Sequence, residues 1–336
     1  MKTPRLYGLD AARGIAAVSV VFSHWTGFFY VGPRIEVDHA RLPFGAILWP
    51  FYDYGGMGVD LFFVLSGFVF YWLYADAVSR GMPWRRFFLL RFSRLYPLHF
   101  VTLLIVAFEQ LVLLPQPYGG LFNDVYHFVL QLLFASKWGF EHGHSFNSPI
   151  WSVSVEVMMY GAFFLVCRAL PVRLAVPITL MLVGLVLPNY WISRGMTGFF
   201  LGGCCYLVQM RVRPAVLLVL MLCAGLALAS RHVPYQFVTF FLFAPLVLLL
   251  ARARGWIWMR LSFLGDISYS VYLLHFPLML AFVALGLARD RYYSPEVMVV
   301  FFAILLVLAT LSHRFFERPT QDALRRIRWG RVPEEL

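Results

Sequence analysis

The sequence predicts an all-α, polytopic membrane protein with about ten transmembrane helices and both termini in the cytoplasm. Three observations carry that prediction. Hydrophobic residues make up 61% of the 336 and charged residues only 13%, with a mean hydropathy of +0.73; a soluble domain of this length does not carry so much apolar side chain. Apolar runs long enough to cross ~30 Å of hydrocarbon recur from end to end. The basic residues sit in short clusters between those runs rather than in one patch. The formal charge of +11 therefore reads as membrane topology, not as a nucleic-acid surface.

Apolar periodicity and run length place the spans at roughly 14–31, 57–74, 98–114, 150–169, 174–192, 195–210, 214–230, 235–251, 267–287 and 296–315. The sixth is short, and a weaker run at 125–136 reads as an interfacial helix. Lys2 and Arg5 ahead of the first run resemble the start of a signal peptide. The run is too long for one, so it reads as an uncleaved first span. With the N-terminus in the cytoplasm, the inside segments hold 20 of the 28 lysines and arginines, seven lie outside, and Arg13 sits at the membrane entry. That asymmetry orients the chain. The largest outside segments are 32–56 and 115–149. The reading is one transmembrane domain over 6–319 and a short basic cytoplasmic tail over 320–336, with no repeat, low-complexity tract or soluble domain. Cys167, Cys204, Cys205 and Cys223 all fall in apolar runs, where cysteine packs as a small hydrophobe, so no disulfide framework is expected.

Ionisable residues inside spans cost about 2.5–3.5 kcal/mol each on insertion scales, so each one needs a reason. "LDAARGIAAVSVVFSHW" opens the first span with Asp10 and Arg13, three apart and able to pair. Arg13 and His24 are eleven apart, which returns to within about 20° of the same helix face roughly 16 Å further on. One stripe thus presents a cation near the cytoplasm and an imidazole near mid-membrane. Asp60, Glu156 and Glu109 are carboxylates at comparable depth. One of them beside His24 would fix its tautomer and raise its basicity, as a general base requires. The other reading of Asp60 and Glu156 is helix-packing glue, bonded to Ser66, Ser152 or Ser154.

Arg91 and Arg94 lie three apart in "RRFFLLRFSRLYPLH", read as a cytoplasmic loop running into a helix at Pro97, with Arg85 and Arg86 behind them. Guanidinium forks suit phosphate oxygens, and a positive-inside anchor is the alternative. His275 in "LGDISYSVYLLHFPL" and "SHRFFERP" at the end of the tenth span read as supporting or packing elements. Glu141-His142-Gly143-His144 has the look of a metal-ligand pair, but without a convincing third ligand no metal site is expected.

Together these stretches resemble the acyltransferase 3 family of bacterial membrane proteins. The matching segments are "LDAARGIAAVSVVFSH", "GGMGVDLFFVLSGF", "RFSRLYP", "WSVSVE", "SYSVYLLHFPL" and "FFERP", spread from residue 9 to residue 319. The resemblance implies a ten-helix core in the bacterial inner membrane. It also implies acyl-CoA, acetyl-CoA first, as a cytoplasmic donor, and a hydroxyl of a carbohydrate or lipid-linked glycan as acceptor. On that reading His24 takes the hydroxyl proton, with Glu156 and Asp60 as its catalytic carboxylates. Arg13, Arg91 and Arg94 grip the donor, and Asp10, Tyr269, His275 and Glu317 support the site. The competing class is a transporter or flippase for a glycan precursor. The absence of an internal repeat and of paired broken helices speaks against it.

Overall fold

The computed structural model describes residues 5–27, 37–114, 121–228, 233–287 and 289–326. The described residues form fourteen α-helices joined by short 3₁₀ and π turns. They contain no strand, only one isolated backbone bridge between Leu121 and His144. The expected end of the first span and most of the basic tail (327–336) lie outside the described residues.

The helices, in order, are α1 Tyr7–Trp25, α2 Gly45–Tyr54, α3 Gly58–Ser79, α4 Trp84–Phe108, α5 Val125–Leu132, α6 Trp151–Ala169, α7 Ala175–Val186, α8 Tyr190–Val208, α9 Pro214–Leu228, α10 Tyr235–Val238, α11 Ala244–Leu250, α12 Trp256–Ala284, α13 Pro295–Leu311 and α14 Arg318–Arg326. Five continuous helical stretches are long and apolar enough to cross a membrane: Gly45–Ser79, Trp84–Leu113, Ser148–Ala169, Trp256–Ala284 and Pro295–Arg326. Three shorter apolar helices, Ala175–Val186, Pro214–Ala227 and Tyr235–Leu250, accompany them. Helices α1 and α8 each run 19 residues, about 28 Å. They carry Asp10, Arg13 and His24, and Arg194, in place of an uninterrupted apolar run.

Several boundaries correct the sequence reading, each for a local reason. Helix α4 begins at Trp84, straight after the extended Pro83, and continues through Pro97. Arg91 and Arg94 are therefore in the body of a helix long and apolar enough to cross a membrane, not in a loop ahead of it. Apolar counting stopped at the arginines, whereas the backbone did not. Helix α1 likewise starts at Tyr7 and takes Asp10 and Arg13 into its first turns. Asn189 caps α8, its side-chain oxygen accepting from the Trp191 and Ile192 amides at 3.0 and 3.1 Å. This capping separates α7 from α8 earlier than apolarity suggested and puts Arg194, expected in an outside connection, inside the helix. Helix α5 is short, capped by Asp124, with His127 and Gln131 buried while Val125 and Leu133 stay exposed.

Helix α1 is the central element. Gly14 approaches α12 so closely that an added Cβ would clash with the Leu264 side chain, and one at Gly265 would clash with the Asp10 carbonyl oxygen. On its other side Gly58 and Gly55 sit against the Ala16 and Ser19 carbonyls. Small residues let backbones touch where lipid offers no hydrophobic drive to association. The same device joins α3 and α8, where a Cβ on Gly67 would clash with the Phe199 carbonyl oxygen. Around these contacts an aromatic core packs α3, α4, α6 and α8, with Phe70 stacked on Tyr160 at 4.4 Å and edge-on to Phe163 and Phe199. Outward-facing side chains such as Leu165, Leu222 and Val307 remain exposed, as a lipid-facing surface requires.

Candidate active site

Because α1 and α12 run parallel and are pinned at Gly14 and Leu264, residues an equal distance further along face each other. Ten residues on from Gly14 and eleven from Leu264 stand His24 and His275, with His24 Nδ1 and His275 Nε2 2.8 Å apart. Their rings are nearly parallel, 5.0 Å between centroids. His275 is fully buried and its Nδ1 lies 2.6 Å from the Tyr272 carbonyl oxygen. His24 is half-buried. Two residues beyond His275, Pro277 cannot donate to the Leu273 carbonyl, and that oxygen instead accepts from buried Asn147 Nδ2 at 3.4 Å. The segment leading into α6 is thereby tied to the histidine level.

Next to the pair, toward the Arg5 end of α1, is a cavity whose polar lining includes Arg13, Arg91, Arg94, Glu156, Tyr160 and Tyr269. Ser66 Oγ donates to Glu156, and Tyr160 lines the cavity with it. Arg91 donates to the Tyr74 hydroxyl and lies over the Phe70 and Tyr74 rings at 4.9 and 4.6 Å. Arg94 has no hydrogen bond or salt bridge to a described residue. The Tyr269 hydroxyl donates to the Leu95 carbonyl at 2.6 Å. Tyr272, whose carbonyl faces His275, also lines this cavity. The chamber thus abuts the histidine pair without His24 forming its wall.

A second cavity shares Arg13, Arg94 and Tyr269 with the first and adds Arg5, Arg318 and Arg325 opposite Asp10, Asp266 and Glu317. Asp10 joins Arg5 at 2.7 Å and Arg13 at 3.1 Å. Arg5 also reaches Asp266 at 2.7 Å. Glu317 accepts from Ser270 and, at 3.3 Å, from Ser312. Five arginines against three carboxylates in the mouth, and three against one in the chamber, leave a surplus of positive charge along the path. Such a path concentrates anions.

The carboxylates divide. Glu156 lies among the arginines, bonded to Ser66, one of the serines named from sequence. Asp60 is elsewhere: both its oxygens accept from Arg194, Nε at 2.9 Å and Nη2 at 2.6 Å, in a pair 1% and 9% exposed. The Arg194 guanidinium is boxed by Trp151, Tyr190 and Tyr235 at 5.1–5.4 Å. The expectation that a carboxylate orients His24 is therefore corrected: His24 meets a second imidazole, and Asp60 meets an arginine. Glu109 is buried on the π turn after α4. Arg194, Tyr272 and Tyr160 escaped the sequence reading. An arginine ahead of an apolar run was the one available signal, and it was read as a loop charge.

Outside the spans, the segment before α6 folds over itself. Lys137 Nζ donates to the Gly143 carbonyl at 2.8 Å and pairs with Glu141 at 3.4 Å. His144 packs edge-on to Trp191 at 5.5 Å and bonds Ser148 at 3.0 Å. Burial, aided by the Lys137 charge, pulls His144 down to about 4. Burial also lowers Lys137, against the opposing pull of Glu141. Among the described residues no group of three or more His, Cys, Asp or Glu is placed to hold a metal ion.

With this geometry in view, a family model described as an acyltransferase domain, that of acyltransferase 3, matches residues 6–313. The chain belongs to the acyltransferase 3 family. It is similar to acyltransferase MdmB of Streptomyces mycarofaciens, 33% identical over 176 residues, 50% of this chain and 42% of the relative. It also resembles protein 2 of the picA locus of Rhizobium radiobacter, 36% identical over 100 residues, 30% of this chain and 42% of that protein. A third relative is nodulation protein 10 of Rhizobium leguminosarum bv. viciae, 25% identical over 165 residues, 45% of this chain and 41% of that protein. The chain thus spans about two fifths of the length of these curated relatives. No solved structure matches it.

Proposed function

We propose that this family member is a membrane O-acyltransferase that moves an acyl group, acetyl in the first instance, from acyl-CoA to a hydroxyl of a carbohydrate or lipid-linked glycan. The reading includes ten spans in a bacterial inner membrane, with both termini and the arginine-rich mouth on the cytoplasmic side. The observation that carries it is the pair of arginine-lined cavities that share Arg13, Arg94 and Tyr269. Arg5, Asp10 and Arg13 at the foot of α1 line them, and His24 stands on the Arg13 side of α1 beyond their walls. Family membership and the acyltransferase name of one relative support the same chemistry.

In this mechanism the anionic donor enters at the Arg5 end. Arg94, with neither hydrogen bond nor salt bridge to a described residue, and Arg91 take its phosphates, as charge-assisted bonds favour. Arg13 remains paired with Asp10 and orients the thioester. Glu156 supplies the one carboxylate among these cations and accepts from donor amides or from an acceptor hydroxyl. His24 takes the proton of the acceptor hydroxyl as its oxygen attacks the thioester carbonyl carbon. The carbon–sulfur bond then breaks, the ester is complete, and the CoA thiolate recovers that proton.

The test is acyl transfer from labelled acyl-CoA in membranes holding wild type or His24→Gln at equal abundance. Glutamine keeps much of the size and hydrogen bonding but cannot take up the proton, so transfer should drop about 10²–10⁴-fold. Near-normal transfer by the variant would remove His24 from the mechanism. Glycan movement without ester formation in either protein would favour a transporter.

A further inference from the structure

We infer that His275 is a positioning residue that holds His24 in the Nδ1–H form and leaves His24 Nε2 as the free basic nitrogen. This deepens the reading above and rests on it for its catalytic consequence, but not for the proton arrangement itself.

The argument starts at a group whose role is fixed. A backbone carbonyl only accepts, so the 2.6 Å contact between His275 Nδ1 and the Tyr272 oxygen requires a proton on Nδ1. A neutral imidazole with its proton on Nδ1 has a bare lone pair on Nε2. That lone pair faces His24 Nδ1 at 2.8 Å. Two lone pairs at this distance repel, so His24 Nδ1 donates. Its Nε2 is then unprotonated, and it makes no hydrogen bond to a described residue. The alternative is an imidazolium at His275, donating from both nitrogens. That needs a counter-charge in a fully enclosed site, and among the described residues no carboxylate lies within 4.0 Å of either ring. The nearest acid on α1, Asp10, is committed to Arg5 and Arg13.

The arrangement does what a carboxylate–histidine pair does elsewhere, with a neutral ring in the carboxylate's place. It fixes the tautomer and ring orientation of the base by a second hydrogen bond. It differs in carrying no negative charge. When His24 Nε2 takes the hydroxyl proton, the new positive charge is shared along His24 Nδ1–H, His275 Nε2 and the Tyr272 carbonyl. It is later discharged to the leaving thiolate, so no proton is left behind. The anchor is built into the backbone, because the Tyr272 carbonyl is three residues before His275 on the same helix and Tyr272 is itself locked by its hydroxyl to the Pro149 carbonyl at 2.7 Å.

Two experiments test the inference. Nitrogen NMR of ¹⁵N-histidine-labelled protein, assigned by subtracting the His24→Gln and His275→Gln spectra, reads each tautomer without reference to activity. Both rings should be protonated at Nδ1, and a proton on His24 Nε2 at neutral pH would overturn the assignment. In the kinetic arm, His275→Leu removes the acceptor and should lower kcat about 10²-fold or more, the scale of losing a general base. The KM for acyl-CoA should change less than about threefold, since the arginines are untouched. His275→Gln places a carbonyl oxygen near the former Nε2 and should restore kcat to within about tenfold of wild type. A leucine variant that turns over normally, or a glutamine variant as slow as leucine at equal abundance, would refute the positioning role. Both rings protonated at Nδ1, together with normal transfer by His24→Gln, would uphold the proton arrangement while removing His24 from the mechanism, and the same protonation with no ester formed by wild type would overturn the acyl-transfer reading.

Discussion

Asp60→Asn should unfold this protein rather than disarm it. The pair it breaks is bidentate, 2.9 and 2.6 Å, with Asp60 1% and Arg194 9% exposed. Asparagine keeps one acceptor but removes the charge that balances a guanidinium enclosed by three aromatic rings. Removing one partner of a buried ion pair costs about 3–5 kcal/mol, because the other charge is left unpaired away from water. Arg194→Met should cost about as much, by stranding the carboxylate. Both residues sit at one end of the α3–α8 contact, whose tight glycine approaches at Gly67 and Gly202 tolerate no splaying. The double variant Asp60→Leu/Arg194→Met removes both charges and keeps apolar volume. It should recover much of the loss, with a coupling energy of about 2–3 kcal/mol in a double-mutant cycle. The assay is denaturant or thermal unfolding in detergent, read beside acyl transfer per folded molecule. A stable Asp60→Asn protein with abolished transfer would refute this reasoning and return Asp60 to the catalytic group.

Two further outcomes follow from the site and its outer cover. Arg94→Ala should raise the KM for acyl-CoA about ten- to a hundred-fold through the loss of about 1.5–3 kcal/mol of charge-assisted bonding, at near-normal abundance; reduced abundance with unchanged kinetics would support an anchoring role instead. His144 is held down to about 4 in the folded protein against an ordinary 6.5, so the folded state keeps the ring neutral where the unfolded chain protonates it. Its contribution to stability is complete above 6.5 and is lost as pH falls from 6.5 toward 4. The melting temperature should fall across that window, and a His144→Gln protein should lose less of it; an equal loss in both would refute the assignment.

Much of the site was legible because a helix repeats every 3.6 residues. Arg13 and His24 could be placed on one stripe from their spacing alone, and Arg13 lines both cavities. Asp10 could be paired with Arg13 from a three-residue separation, and the structure gives that contact 3.1 Å. Ser66 could be named as a partner for Glu156 because a carboxylate in a span needs a donor. Helical class was legible from hydropathy, though the ends of elements were not. The arginines of α4 interrupt the apolar count without interrupting the backbone, since their charged ends turn into an aqueous cavity or over aromatic rings. A window that weighs residues by lipid preference cannot know that a chamber is waiting for them.

What could not be read was which helix stands beside which. His24 needs a neighbour to fix its tautomer, and depth alone nominated Asp60, Glu109 and Glu156. The deciding facts are two glycines, Gly14 and Gly265, whose missing side chains bring α1 and α12 into contact in parallel register. Once that contact exists, His275 lies opposite His24 by equal rise along two parallel helices, and no carboxylate can take its place without displacing α12. Asp60 is excluded by a similar device on the other side, where α3 packs on α8 and delivers Arg194 to it. A glycine in a span is ordinary in composition and mute in periodicity. Its meaning comes from the helix that closes on it, so the partner of the catalytic candidate is a tertiary fact even though every residue involved lies in a motif visible from the start.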